Sequence, residues 1–280
     1  MKRLWLVGML SLFAVVARAD DWTPVEREAM DSSQLSDVAR AVLDAREFKW
    51  KHAQTEHFVI HYENGVFAAK VARQAEFYYH HISRDLGNLT DRAPARSHIF
   101  IFRKPTDWHI FIRSYLKADL EWSAAMVIGP IMYLKQAQDI SRSAEVLSHE
   151  MSHLILNRFV EGRAPRWLNE GLAEWYGEFA YAAFKGVRKS KKTAFQRLDS
   201  SFSVRDLLAA KEYPADREAI HKFYQTSKHL VAYLQLEQPS EKFTPFLLAT
   251  ARGVPVESAL QEHYGLTVEE LIEQFQKYRR

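Results

Sequence analysis

Residues His149, Glu150 and His153, within the string HEMSH, have the types and spacing to hold a divalent metal and to work a water beside it. On an α-helix, positions i and i+4 lie about 40° apart in azimuth and about 6 Å apart along the axis, so both imidazoles point from one face. Glu150 stands about 100° round from His149. There it flanks the metal without being a natural ligand, which suits a general base. Two histidines leave the coordination sphere open and predict a further donor downstream. The first helix runs on through Leu154, Ile155 and Leu156, and Gly162 and Pro165 of EGRAPR then break the pattern. A second helix is expected from about Arg166, with Trp167, Leu168, Leu172, Ala173, Trp175 and Tyr176 as its apolar bulk. Glu170 and Glu174 stand one turn apart on that helix. Glu170 is the expected third ligand, and Glu174 the carboxylate that receives the other N–H of one ligand histidine. One zinc ion per chain is the expected cofactor.

HExxH followed by NEGLAE at 169–174 resembles the gluzincin metallopeptidases, the clan of thermolysin and the zinc aminopeptidases. The phrase PRWLNEGLAEW resembles the small peptidase MA-like domains, and the likeness in general layout extends over residues 50–280. His149, Glu150, His153, Glu170 and Glu174 each match the family pattern in type and order. Sixteen residues separate His153 from Glu170, somewhat fewer than in the two best-known branches, which calls for a shorter inter-helix loop. The resemblance implies an α+β, zincin-like fold. A small sheet-and-helix lobe (about 50–160) and a mostly helical lobe (about 161–280) would form one catalytic domain over residues 20–280, with the metal helix between them.

It also implies hydrolysis of peptide bonds in a peptide or protein substrate, with Glu150 as general base. FYQTSKHLVAYL resembles the helix that carries an oxyanion-stabilising tyrosine in related peptidases, which makes Tyr224 the candidate and His221 the runner-up. In gluzincins the last strand before the metal helix forms a wall of the cleft and pairs with extended substrate, so residues 126–134 are either such an edge or an ordinary sheet strand. IGPIMY does not match the GxMEN sequence with which zinc aminopeptidases read a free amino terminus, which leaves that activity without support. The alternative from another class is a catalytically inactive, zinc-stabilised domain that binds envelope peptides or a partner protein. A metal-free α+β interaction protein is the third reading.

The elements needed to position these residues are legible in outline. Residues 31–51 read as a polar-faced helix, HFVIHYE at 57–63 as a strand, and 66–86 as a helix with Phe67, Val71, Tyr78 and Ile82 near one face, ended by Gly87. HIFIF at 98–102 reads as a strand buried on both sides. Thr106 is the expected cap of a helix carrying Trp108, Ile110, Phe111 and Tyr115, and 123–134 reads as a third strand or a hairpin. After the motif, SVRDLLAA, residues 219–237 and two shorter helices complete the chain. No repeat, heptad run or low-complexity segment interrupts it. The remaining histidines, His52, His57, His61, His80, His81, His98, His109, His229 and His263, read as surface or structural. His57 and His61 share one side of a strand but stand about 13 Å apart, too far for one ion, and the adjacent His80 and His81 diverge.

Lys2 and Arg3, an apolar run from Leu4 to Val16 and the small residues of Ala17-Arg18-Ala19 have the form of a signal peptide over residues 1–19. The expected location is outside the cytoplasm, in a periplasm first and secreted as the alternative, with no stable membrane insertion after cleavage. The chain has no cysteine, so neither lipid attachment at a cysteine nor disulfides accompany export. Three of its 38 basic residues and none of its 35 acidic ones lie in residues 1–19, leaving 35 against 35. That balance gives no support for nucleic acid as a partner. The local cluster Lys185, Arg188, Lys189, Lys191 and Lys192 reads as a solvated loop, with an anionic envelope polymer or substrate as its functional alternative. Amino-terminal sequencing of the exported protein should begin at Asp20; a chain still starting at Met1 would overturn the export reading.

Overall fold

Alternation within the strands builds a sheet whose two faces are both covered. The computed structural model describes residues 22–87, 89–191 and 202–278; the expected signal segment, its cleavage point and Lys192 lie outside them. Six strands, β1 (Thr23–Pro24), β2 (Lys51–Gln54), β3 (Phe58–Tyr62), β4 (Ser97–Phe102), β5 (Ala125–Ile128) and β6 (Ile131–Lys135), are arranged β1-β2-β3-β4-β6-β5. The β3/β4 and β4/β6 pairs are parallel and the others antiparallel. Phe58, Ile60, Ile99, Ile101, Met132 and Leu134 point to one face, and Phe100, Phe102 and Tyr133 to the other. All nine are at most 2% exposed, so neither face is solvated and the strands read as continuous apolar runs.

The first face carries α2 (Gly65–Leu86), α4 (Ile140–Phe159) and, beyond them, α5 (Arg166–Phe184) and α7 (Arg217–Leu236). On the second lie α1 (Asp37–Asp44) and α3 (Pro105–Ile110), which runs on as a π-helical segment, Phe111–Leu116. The helix expected over 31–51 is thus confined to α1. Ser36 caps it by accepting from Ala39 N, and the chain turns extended at Ala45 to reach β2. Thr106 is not a cap. Pro105 takes the first helical position, for which its fixed φ suits it, and the Asp107 carboxylate accepts the Lys104 N–H at 3.2 Å. Residues 123–134 form a hairpin, with β5 and β6 joined by Gly129-Pro130 and Gly129 at φ 58°, as the first position of a type II′ turn requires.

The carboxyl-terminal part is helical, with α6 (Val204–Ala209), α8 (Phe243–Ala251), α9 (Val256–Tyr264) and α10 (Val268–Tyr278) around α7. Three helices rather than two follow α7. Pro255 starts α9 after a break, and Gly265, at φ 70°, ends it before α10. One cluster of buried apolar residues runs from Ala53 to Phe275, so the sheet and the helical part share a core. The carboxyl end of α4 is fixed to the sheet by buried Arg158, which donates to Asp91 Oδ2 (2.8 Å), Ser97 Oγ (3.1 Å) and the Ala95 carbonyl (3.1 Å). Among the described residues no helix is long and apolar enough to cross a membrane.

Three histidines cross the sheet as a hydrogen-bonded row. His52 Nδ1 and His61 Nδ1 are 2.8 Å apart, and His61 Nε2 and His98 Nδ1 2.9 Å apart. Each contact needs one donor and one acceptor, which neutral rings supply in turn. Burial pushes all three towards the neutral form, His61 well below its usual range and His98 down to about 4. The unfolded chain protonates His98 near 6.5, so between about 6.5 and about 4 it binds more protons than the folded one, and this histidine's contribution to stability falls as pH drops through that window. Ring-nitrogen NMR should find His98 neutral down to about pH 4 in the folded protein; a midpoint near 6.5 would contradict the buried row.

Candidate metal centre

Helix α4 presents His149, Glu150 and His153 on one side because Leu147, Met151, Leu154 and Ile155 bury the other against the sheet. Asp139 caps its start, accepting from Ser141 N at 3.1 Å. Helix α5 brings Glu170 and Glu174 to the same place, and two glycines set how closely it can approach its neighbours. A Cβ on Gly177 would stand 3.1 Å from the backbone N and Cα of His149, so the α5 backbone lies directly against that of the first candidate ligand. A Cβ on Gly171 would stand 2.5 Å from the Ser227 carbonyl, which lets α7 press equally close on the other side. Any larger residue at 171 forces α5 and α7 apart.

The helix pair brings three donor atoms to a point. His149 Nε2 and His153 Nε2 are 3.2 Å apart, and Glu170 Oε2 lies 3.4 Å from the first and 3.3 Å from the second. Donors around a tetrahedral zinc, each about 2.0–2.1 Å from it, stand roughly 3.3 Å from one another. The other atoms of these side chains are held as ligation requires. His149 Nδ1 donates to Glu174 Oε1 at 3.1 Å, which turns Nε2 towards Glu170 and His153 as the position a metal would take. Glu170 Oε1 accepts the Tyr213 hydroxyl at 2.6 Å, which turns Oε2 to the histidines. His153 Nδ1 is buried and has no partner among the described residues. Two imidazole nitrogens and a carboxylate oxygen at this range draw positive charge to the space between them, a proton on His149 or a metal ion, and their types and separations fit a divalent metal.

The electrostatics point the same way. Burial opposes charge on His149, yet its hydrogen bonds to Glu170 and Glu174 outweigh that and push it up to about 10. Burial likewise opposes charge on Glu170, but the two histidines hold its carboxyl far below the usual range. Glu150 is shifted the other way, raised by burial and by the Glu170 charge against the pull of His153 and His149. Tyr224 stands edge-on to His149, with ring centroids 6.0 Å apart, and burial with the Glu170 charge keeps its hydroxyl protonated as a donor. His221, the runner-up, is exposed and is not among the residues that line the cleft.

A cleft of about 1480 Å³ opens over these groups, between the β5 edge with Trp122 on one side and Tyr213 and Tyr224 on the other. A model of the peptidase MA superfamily matches residues 118–279, from just before β5 to the end of α10. The chain belongs to the peptidase MA superfamily. The match includes β5, the HEMSH helix, Glu170 and Tyr224, and makes this part of the chain a metallopeptidase-like domain. No match is found among curated proteins. Strands β1 to β4 and helix α2 lie outside the superfamily match, although they share its core.

Tyr213 is the site residue that sequence reasoning missed. It sits in the loop between α6 and α7, where no periodicity marks it. Arg166 holds it there, with its guanidinium 4.1 Å from the Tyr213 ring centroid and Nε donating to the Lys211 carbonyl at 3.0 Å. The basic cluster is partly neutralised, since Lys189 pairs with Glu178 and Lys191 with Asp85 at 2.8 Å. Elemental analysis should find metal in the purified parent and a marked loss in Glu170→Ala. Glu174→Gln should keep the metal at about 10–100-fold weaker affinity in a chelator competition. Absence of metal from the parent after zinc supplementation would leave HEMSH an amphipathic helix.

Proposed function

We propose that this member of the peptidase MA superfamily is an exported, periplasmic zinc metallopeptidase of the gluzincin type, with a zincin-like active site. The observation that carries the reading is the three donor separations of 3.2, 3.4 and 3.3 Å, with Glu150 on the same helix beside them. Zinc bound there supplies a Lewis acid that polarises the scissile carbonyl and acidifies the attacking water.

The protein residues do the rest. Glu150 accepts a proton from water as its oxygen attacks the carbonyl carbon, then delivers that proton to the leaving amine. Its raised affinity for protons suits both halves of this exchange. As the carbonyl oxygen gains charge, the Tyr224 hydroxyl donates a hydrogen bond to it. Glu174 holds the His149 tautomer, and Tyr213 holds Glu170 with one oxygen turned inward. The substrate class follows from the cleft, whose volume exceeds a typical small-molecule site. It is walled by β5, which among the described residues pairs only with β6 and so leaves the backbone N–H and C=O groups of its outer edge without a strand partner. An extended peptide laid along that edge would present its backbone to the HEMSH helix.

A broad peptide-library screen tests the mechanism. The parent should cleave, Glu150→Gln should keep its metal and lose turnover by about 10²–10⁴-fold, and Tyr224→Phe should lose about 10²–10³-fold. Full activity in Glu150→Gln would refute the mechanism. A metal-loaded parent with no turnover across the library would favour the inactive, peptide-binding domain instead.

A further inference from the structure

A second group of metal-capable side chains lies on the opposite flank of α2, outside the region of the superfamily match. Glu56 and His57 occupy the turn between β2 and β3, and His80 lies on α2. One donor atom from each falls within 4.8 Å of the others. His57 Nε2 and Glu56 Oε1 are 3.8 Å apart, and the His80 ring stands edge-on to His57, with centroids 5.6 Å apart and planes at 87°.

What distinguishes this group from a chance surface cluster is how His57 is held. Its Nδ1 meets Glu76 Oε2 at 2.7 Å, and its backbone N–H donates to Glu76 Oε1 at 2.9 Å. Glu76 is only 8% exposed, and both its oxygens are held on His57. A carboxylate there accepts the hydrogen bond from Nδ1–H and leaves Nε2 pointing outward. Tyr79 stacks on the ring at 3.5 Å, fixing its plane. Glu76 and His80 are four residues apart on α2, so the group that orients one imidazole and the group that supplies the other share a helix face. The arrangement repeats the one in the cleft, where Glu174 holds His149 Nδ1 and frees its Nε2.

We propose that Glu56, His57 and His80 form a second divalent-cation site, oriented by Glu76. Two imidazoles and a carboxylate suit borderline transition cations such as zinc, nickel or copper(II). The donors stand further apart than the 3.2–3.4 Å of the cleft, and rotation of the exposed Glu56 and His80 side chains closes the difference. With three protein donors and an open side, the ion keeps water in its remaining position. Bound there it pins the β2–β3 turn to α2, a contact that stabilises the sheet's amino-terminal side and needs no catalytic role.

The probe is zinc alone, titrated into untagged, purified protein by equilibrium dialysis, with elemental analysis as the count. The parent should take two equivalents, and His80→Ala, a change at an exposed position, should take one. Glu76→Gln should weaken the second equivalent about 10–100-fold. The second equivalent should also raise the thermal midpoint of the parent and leave that of His80→Ala unmoved, because a ligand that binds only the folded state stabilises it. Glu170→Ala separates the two sites, since it should lose the cleft ion and keep this one. A Glu170→Ala variant that binds no zinc, or a His80→Ala variant that binds as many equivalents as the parent, would overturn the proposal.

Discussion

The structure turns on bringing three electron-rich atoms, two imidazole nitrogens and a carboxylate oxygen, to within 3.4 Å of one another in a largely buried place. Left unpaired, a buried carboxylate costs several kcal/mol. The fold therefore holds α4 and α5 so that positive charge, a proton on His149 or a divalent cation, is drawn between them. Glycine at 177 removes the side chain that would keep the helices apart, and glycine at 171 lets α7 buttress α5 from behind. The sheet backs α4 through Met132, Leu134, Ile99 and Ile101, and Arg158 ties its far end to β4. The core thus serves as the clamp for that geometry.

Much of this was legible in the sequence because it is local. HEMSH and NEGLAE each fix their side chains by helical spacing alone, and the strand at 98–102 announces itself by an unbroken apolar run. The orientation of the ligands was only half legible. Glu174 lies one turn from Glu170, so its role could be anticipated, but Tyr213 reaches Glu170 across 43 residues from an irregular loop. Chain direction there is set by Arg166 and the loop's own carbonyls, and no period in the sequence encodes it. The same limit explains His57. Its neighbours in sequence suggested only a strand residue, whereas its partner Glu76 is 19 positions away and reaches it only once α2 has folded back across the sheet. The error at residues 31–51 has another origin, since Ala45 leaves the helix to follow Trp50, whose indole donates to the Val42 carbonyl at 3.0 Å.

The position of the cleft follows from the strand order. Placing β6 before β5 at the end of the sheet puts the last strand antiparallel to its neighbour, with Gly129-Pro130 turning the chain. Asn157 of α4 donates to the Gly129 carbonyl at 2.8 Å, so the hairpin is fastened to the helix that bears the histidines. A peptide laid along β5, as proposed, would have its distance from Glu150 set by that fastening, with Tyr213 and Tyr224 also lining the cleft.

Charge counting then separates the roles of the three carboxylates. Glu170 and Glu174, each hydrogen-bonded to groups that favour its ionised form, together carry the two negative charges that a divalent cation neutralises. Glu150 is the third, and it has only the more distant pull of His153 and His149 to set against its burial. Burial and the Glu170 charge raise its proton affinity while its two companions are lowered. In the proposed mechanism the division of labour between ligand and base would thus follow from which carboxylates are hydrogen-bonded: Glu170 and Glu174 are, and Glu150, one residue of helix azimuth from His149, has no such bond among the described residues.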